Sequence, residues 1–335
     1  MGVAVEIEER LGVPLPRRVA VLRALRLGDL LCAVPALRAL RAALPEAEIV
    51  LIGLPWARSF VARFGRHVDG FLEFPGYPGL PERAADLARF PAFLAEAQAH
   101  RFDLAIQLQG SGTITNPLTV LLGARRNAGF FRPGEYCPDA GRFVMYPDRG
   151  PEVRRLVRLM EFLGIPARGE DLEFPLRPED RTALHDLDEA RDLRPGTYAC
   201  VHPGASAAEK RWPAEHFAAV AAALADRGLR VVLTGTAEEG PLTRAVAGLL
   251  RGPHVDLAGR TDLGSLAALV AGARVLVCND TGVSHVAAAL RVPSVVVFRG
   301  SDPERWAPLD RRRHRAVGAG IDPGEVIRLV DALLD

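Results

Sequence analysis

Lysine is almost missing from this chain. Of 42 basic residues one is lysine, Lys210, and the rest are arginine, as in a GC-rich genome that writes Arg wherever Arg serves, so the single ammonium stands out. A net charge of one sign is also lacking. The 42 basic and 41 acidic residues leave +1 at pH 7, which gives no global field to recruit nucleic acid or an anionic membrane. Cysteine is sparse: Cys32, Cys137, Cys200 and Cys278 lie far apart, with no C-x-x-C and no Cys/His grouping of metal spacing, so no zinc site is readable. Cys200 and Cys278 sit inside apolar strand-like runs, as small buried thiols of a reducing compartment do. No apolar run reaches the ~18 residues of a membrane span. The opening MGVAVEIEERLGVPLPRR has acidic residues and prolines where a signal peptide needs a basic start and an apolar stretch. The expectation is a cytoplasmic protein, with peripheral contact at the inner face of the cytoplasmic membrane left open. Missing too are the P-loop, the G-x-S-x-G elbow and the H-E-x-x-H pair, which argues against a P-loop kinase, an α/β-hydrolase and a zinc protease.

What is present is an alternation of short apolar runs with longer helical patterns, the signature of parallel sheets covered by helices. At 335 residues, 49% hydrophobic, the chain exceeds what one core usually organises. Two Rossmann-like α/β domains are expected, residues 1–175 and 176–335. After an extension of about eighteen residues, strands are predicted at 19–23, 48–53, 71–74 and 103–109, with helices near 29–44, 81–100 and 152–164 and a loop over 130–149. The second half predicts strands at 198–202, 229–234, 255–258, 275–279 and 294–298, a helix from Pro213 to Gly228, and a last helix over 323–334. Parallel sheets in tandem face a central crevice at the carboxyl ends of their strands, where open sheets bind ligands.

Three segments carry chemistry. HPGASAAEKRWPAEHF, residues 202–217, runs from a strand end through small residues into a helix start. Exposed backbone N–H groups, the positive helix end and the Lys210 ammonium suit a phosphate, and the bland alternative for Lys210 is a solvated loop residue. VCNDTGVSHVAAAL, residues 277–290, is strand, turn and helix. Asp280, Thr281 and Gly282 form a turn that suits a phosphate and sugar hydroxyls, or else simply cap the helix; His285, one turn later, is catalytic or merely packed. RALRLGDLLCAVPALRAL, residues 23–40, follows the first strand without a G-x-G-x-x-G fingerprint. Gly28 there permits an unusual backbone angle or close ligand approach, and Asp29 is a carboxylate at the sheet mouth or a helix cap.

Taken in this order, LGDLLCAVPAL, HPGASAAEKRWPAEHF, LTGTAEE and LAGRTDLGSLAALVAGARVLVCNDTGVSHVAAALRVPSVVVFRGSDPERWAP resemble glycosyltransferase family 9, the lipopolysaccharide heptosyltransferases, over residues 18 to about 308. The resemblance implies a GT-B fold with the acceptor on the N-terminal domain and an ADP-heptose-like donor on the C-terminal one, inversion at the anomeric carbon, and neither a bound metal nor a cofactor. Residue by residue it makes Asp29 the candidate catalytic base, with Gly28 beside it on the acceptor side. Lys210 becomes the donor-phosphate lysine, Thr281 and Gly282 the phosphate turn, Asp280 the donor-sugar carboxylate, and His285 the histidine behind them. Glu239 matches a ribose-contacting acid, in competition with Glu238. Where the family often has a hydroxyl pair this chain has Ala205 and Ser206, so only Ser206 supplies a hydroxyl. The implied partners are a nucleotide-sugar donor and a lipid-linked or glycan acceptor, with no nucleic acid. Two other functions fit the same frame: a nucleotide-sugar epimerase, and a sugar-nucleotide-binding protein that transfers nothing.

Overall fold

Apolar runs of four to six residues, too uniformly hydrophobic to have a wet face, become strands buried on both sides. A computed structural model of the chain describes residues 2–335, which divide between Glu170 and Asp171 into two units. The first contains, in order, α1 (Gly2–Leu11), β1 (Arg18–Leu22), α2 (Leu27–Ala43), β2 (Glu48–Gly53), α3 (Ala57–Arg63), β3 (Gly70–Glu73), α4 (Phe90–Ala99), β4 (Leu104–Gln107), α5 (Thr115–Leu121), β5 (Arg126–Phe131), β6 (Phe143–Met145) and α6 (Glu152–Phe162). All its strands are parallel, in the order β3-β2-β1-β4-β5-β6.

The second unit contains α7 (Pro178–His185), β7 (Tyr198–His202), α8 (Ala214–Asp226), β8 (Arg230–Leu233), α9 (Gly240–Ala247), β9 (His254–Asp256), α10 (Leu263–Gly272), β10 (Val275–Asn279), α11 (Gly282–Ala289), β11 (Ser294–Val297), α12 (Pro303–Trp306), β12 (His314–Val317) and α13 (Pro323–Leu334). Its parallel sheet runs β12-β11-β10-β7-β8-β9. Counted from its own first strand this is the same order as in the first unit, the doubly wound order that opens a ligand crevice where the winding reverses. The reversal lies between β1 and β4 in one unit and between β7 and β10 in the other.

The alternation of strand side chains builds two cores in the second unit. Cys200, Leu276, Cys278 and Val296 join one cluster, while their chain neighbours Ala199, Val201, Val277 and Val295 join the other. Each fully buried Val or Leu contributes roughly 1.5–3 kcal/mol. In the first unit Ala20, Leu22, Val50, Ile52, Phe93 and Phe102 pack together, and α2 packs on α6.

Several expectations need correction. The opening extension contains a helix, Gly2–Leu11. The expected loop over 130–149 holds the end of β5 and all of β6. The helix expected from 81 starts only at Phe90, because Arg83 is drawn off to Glu73 Oε1 (3.1 Å) and the Phe74 carbonyl (2.7 Å). The second sheet has a sixth strand, β12. Pro213 is the cap residue before α8 and not its first residue; Gly228, just past the helix, does take the left-handed conformation expected of a terminator (φ +80).

Candidate functional site

Two strand registers place the motifs. β7 pairs β10 with His202 opposite Cys278, and β8 with Val201 opposite Leu233. The loop after β7, the turn after β10 and the loop after β8 therefore open side by side on one sheet edge. These three segments hold Ser206 and Lys210, Asp280 to Gly282, and Glu239.

Asn279, the last residue of β10, ties two of them together. Its Nδ2 donates to the Pro203 carbonyl at 2.8 Å and its Oδ1 accepts from the Trp212 backbone N–H at 2.9 Å, so one fully buried side chain holds both ends of the 203–212 loop. Arg211 Nε closes the loop on the Ala205 carbonyl (3.1 Å), and Arg299 NH1 donates to the Arg211 carbonyl (2.7 Å). Within it Ala208–Lys210 form one 3-10 turn. Ser206 is exposed and Lys210 half-buried, and among the described residues the Lys210 ammonium has no hydrogen-bond or ion-pair partner.

Asp280 is buried and accepts from Ser301 Oγ at 2.6 Å. Thr281 is the cap residue of α11, yet its side chain makes no capping hydrogen bond. Neither side chain is therefore spent on the helix end, and the capping alternative fails for both. Gly282 opens the helix and His285 lies buried one turn on.

Glu239 belongs with the loop and Glu238 does not. The Glu239 carboxylate accepts from the Thr236 N–H at 2.8 Å and stands 3.7 Å from His202 Nε2, whereas Glu238 is exposed. Gly204 makes room for it: a Cβ there would come within 2.2 Å of the Glu239 carboxylate. His202 bonds Thr234 Oγ1 at 3.0 Å through Nδ1. Burial holds its pKa below the ordinary histidine range against the opposing pull of Glu239. Burial likewise pushes the Cys200 and Cys278 thiols up, which makes them inert packing groups, as their apolar runs predict.

In the first unit β1 pairs β4 with Leu22 opposite Gln107, which sets residues 23–29 beside Leu108 and Gln109. α2 begins at Leu27 with Arg26 as its cap, so Asp29 is the third helical residue and not a cap. Gly28 is buried within the helix and is not among the glycines of positive φ; the unusual backbone angle expected of it is not there. Arg23 is wholly buried. It donates from Nε to the Asp29 carbonyl (2.8 Å), from NH1 to the Leu108 carbonyl and from NH2 to Glu152 Oε1 (3.1 Å), and NH2 lies 4.0 Å from Asp29 Oδ1. Glu152 is held in turn by Arg155 at 2.5 Å.

Arg23, Gln109 and Asn279 are the residues that motif reading passes over. The available signal is slight: each is a polar residue at or within two residues of the end of an otherwise apolar strand.

Among the described residues no group of three or more His, Cys, Asp or Glu is placed to hold a metal ion, and no helix is long and apolar enough to cross a membrane. Comparison with known proteins finds the family model of glycosyltransferase family 9 (heptosyltransferase) over residues 92–322. The chain is 27% identical over 298 residues to lipopolysaccharide heptosyltransferase 2 of Escherichia coli, covering 85% of this chain and 83% of that one. Among solved structures it resembles a family 9 glycosyltransferase of Veillonella parvula (TM-score 0.80, 21% identity, 97% and 98% of the two chains). It also resembles E. coli ADP-heptose lps heptosyltransferase II (TM-score 0.77, 23% identity, 95% and 98%).

Proposed function

This chain belongs to glycosyltransferase family 9 and is a glycosyltransferase, and we propose that it moves a heptose-like sugar from ADP-heptose to a lipopolysaccharide or other cell-envelope glycan. The observation that supports this reading is the second unit's sheet edge: an unpartnered Lys210 ammonium, a Thr281 hydroxyl unused at a helix start, and Glu239 fitted against Gly204. An ammonium and helix N–H groups suit a diphosphate. A carboxylate accepts from two hydroxyls, as a ribose diol offers, and Asp280 suits the donor sugar.

The reaction is a single inverting displacement. An acceptor hydroxyl gives its proton to the Asp29 carboxylate as its oxygen bonds to the anomeric carbon. The bond from that carbon to the phosphate oxygen breaks, and its electron pair leaves with the diphosphate. Lys210, Ser206, Thr281 and the first N–H groups of α11 meet the growing charge, the duty a metal performs elsewhere. Incubating the protein with ADP-heptose and deacylated inner-core oligosaccharide, in buffer containing EDTA, tests this. The reading expects ADP and a heptosylated product of inverted anomeric configuration. Epimerised donor without transfer would point to an epimerase, and unaltered donor to a binding protein.

A further inference from the structure

The loop after β3 crosses the mouth of the first sheet. In the sheet β3 is separated from β4 by β2 and β1, about 14 Å at ~4.8 Å per strand. Yet Gly79 (φ +86) packs against Ile114, beyond β4; a Cβ on it would come within 2.8 Å of Ile114 Cδ1. The loop is pinned at its root by Arg83 on Glu73 and Phe74, by the Asp86 N–H on the Pro75 carbonyl (3.1 Å), and by Gly76, folded against the Ala84 carbonyl. Residues 80–82 therefore run back from Ile114 toward Glu73, across the ends of the strands between β4 and β3.

Two polar groups here have no partner among the described residues. Glu82 Oε2 is buried and unbonded, and so is Gln109 Nε2. The amide of Gln109, itself only 3% exposed, has a fixed orientation, because its Oε1 accepts from the Ala24 N–H at 2.7 Å. Buried polar groups are ordinarily bonded, and an exception at a substrate-facing loop calls for a ligand. Burial raises the Glu82 pKa. Its own backbone pulls the other way, Asp29 raises it further, and Arg26 lowers it, which places Glu82 in the electrostatic reach of both residues. With Asp29 and Glu82 together, an anionic ligand group would meet two carboxyls, whereas a neutral hydroxyl donates to either.

We propose that Glu82 and Gln109 determine acceptor specificity beside Asp29, Glu82 accepting from the hydroxyl next to the attacking one and Gln109 Nε2 donating to an oxygen of the same sugar. The acceptor sugar then presents vicinal, uncharged hydroxyls at this point. This rests on Asp29 being the base of a transferase, and the test separates the two. Deacylated inner-core oligosaccharide is titrated calorimetrically into the ADP-saturated protein. Glu82→Gln should bind it at least 10-fold more weakly than wild type, within the 10-fold to 150-fold worth of a hydrogen bond to a charged group, with ADP affinity unchanged. An oligosaccharide lacking the adjacent hydroxyl should bind wild type and Glu82→Gln alike. Equal binding of the full oligosaccharide by both proteins, or none by wild type, overturns the subsite. Oligosaccharide binding that depends on Glu82 in a protein that performs no transfer supports the subsite and overturns the transferase mechanism instead.

Discussion

The guanidinium of Arg23 grips Asp29 from below, its Nε donating to the Asp29 main-chain carbonyl at 2.8 Å and its NH2 standing 4.0 Å from Oδ1. Because Arg23 also binds the Leu108 carbonyl and Glu152, one buried side chain fixes the first turn of α2 against the end of β4 and the start of α6. The position of the Asp29 carboxylate is thereby set by residues far away in sequence.

Removing that cation should be costly. Arg23→Met takes a buried cation from Glu152 and strips the Leu108 carbonyl of its donor. Breaking a buried pair from one side costs about 3–5 kcal/mol, to be read as a lower midpoint in urea unfolding. A loss below about 1 kcal/mol would mean that Arg23 is not the tie its contacts describe.

Gly204→Ala isolates the fit of Glu239. Gly204 does not have positive φ, so the backbone accepts alanine, and the difficulty is the 2.2 Å approach to the Glu239 carboxylate. Displacing that carboxylate should weaken ADP binding by about 10-fold, one hydrogen bond's worth, with near-normal stability. Unchanged ADP affinity would remove Glu239 from the donor site.

For Lys210→Ala, the absence of any partner among the described residues predicts unchanged stability. Donor binding and transfer should fall by about 10-fold to 150-fold, the roughly 1.5–3 kcal/mol of a charge-assisted contact. Lys210→Arg should recover only part, since a planar fork does not replace a compact ammonium. Wild-type transfer by the alanine variant would reduce Lys210 to a loop residue.

Buried histidines set the acid side of stability. Burial lowers His314 from 6.5 to about 4, with Asp310 opposing and Arg313 and His285 adding to the fall. Unfolded, the ring takes up a proton as pH drops through about 6.5; folded, it resists until about 4. Its contribution is full above 6.5 and is lost progressively between 6.5 and 4, on the order of 3 kcal/mol in all. His314→Asn, which still offers Ser294 Oγ a partner, should flatten the fall in urea midpoint across that window. A slope identical to wild type would assign the loss to other groups, His67 (also about 4) first.

The sequence exposes what is uniformly apolar and hides what is stitched from afar. β2, β7 and β10 were legible because buried runs such as EIVLIG and VLVCN admit no polar face. β5 opens with Arg126 and Asn127 and β12 with His314 and Arg315, so both resemble loops by composition, while β6, apolar but only three residues long, is too short to show a pattern. Lys210, Asp280 and Thr281 stood out through local order around a turn. Arg23, Gln109 and Asn279 did not, because their partners lie up to 129 residues away and spacing carries no trace of them. Glu82 sits in a stretch whose composition suits a helix but which the arginine ties to Glu73 hold as a loop.

The most direct test is Asp29→Asn. Since Asp29 is the third residue of α2 and not its cap, the amide should leave the helix start intact while being unable to accept a proton. ADP-heptose titration and a transfer assay on the same folded variant should show unchanged donor binding with transfer reduced by about 10²-fold to 10⁴-fold. Unchanged binding with transfer within about a factor of three of wild type, far short of what a lost general base costs, would contradict the mechanism.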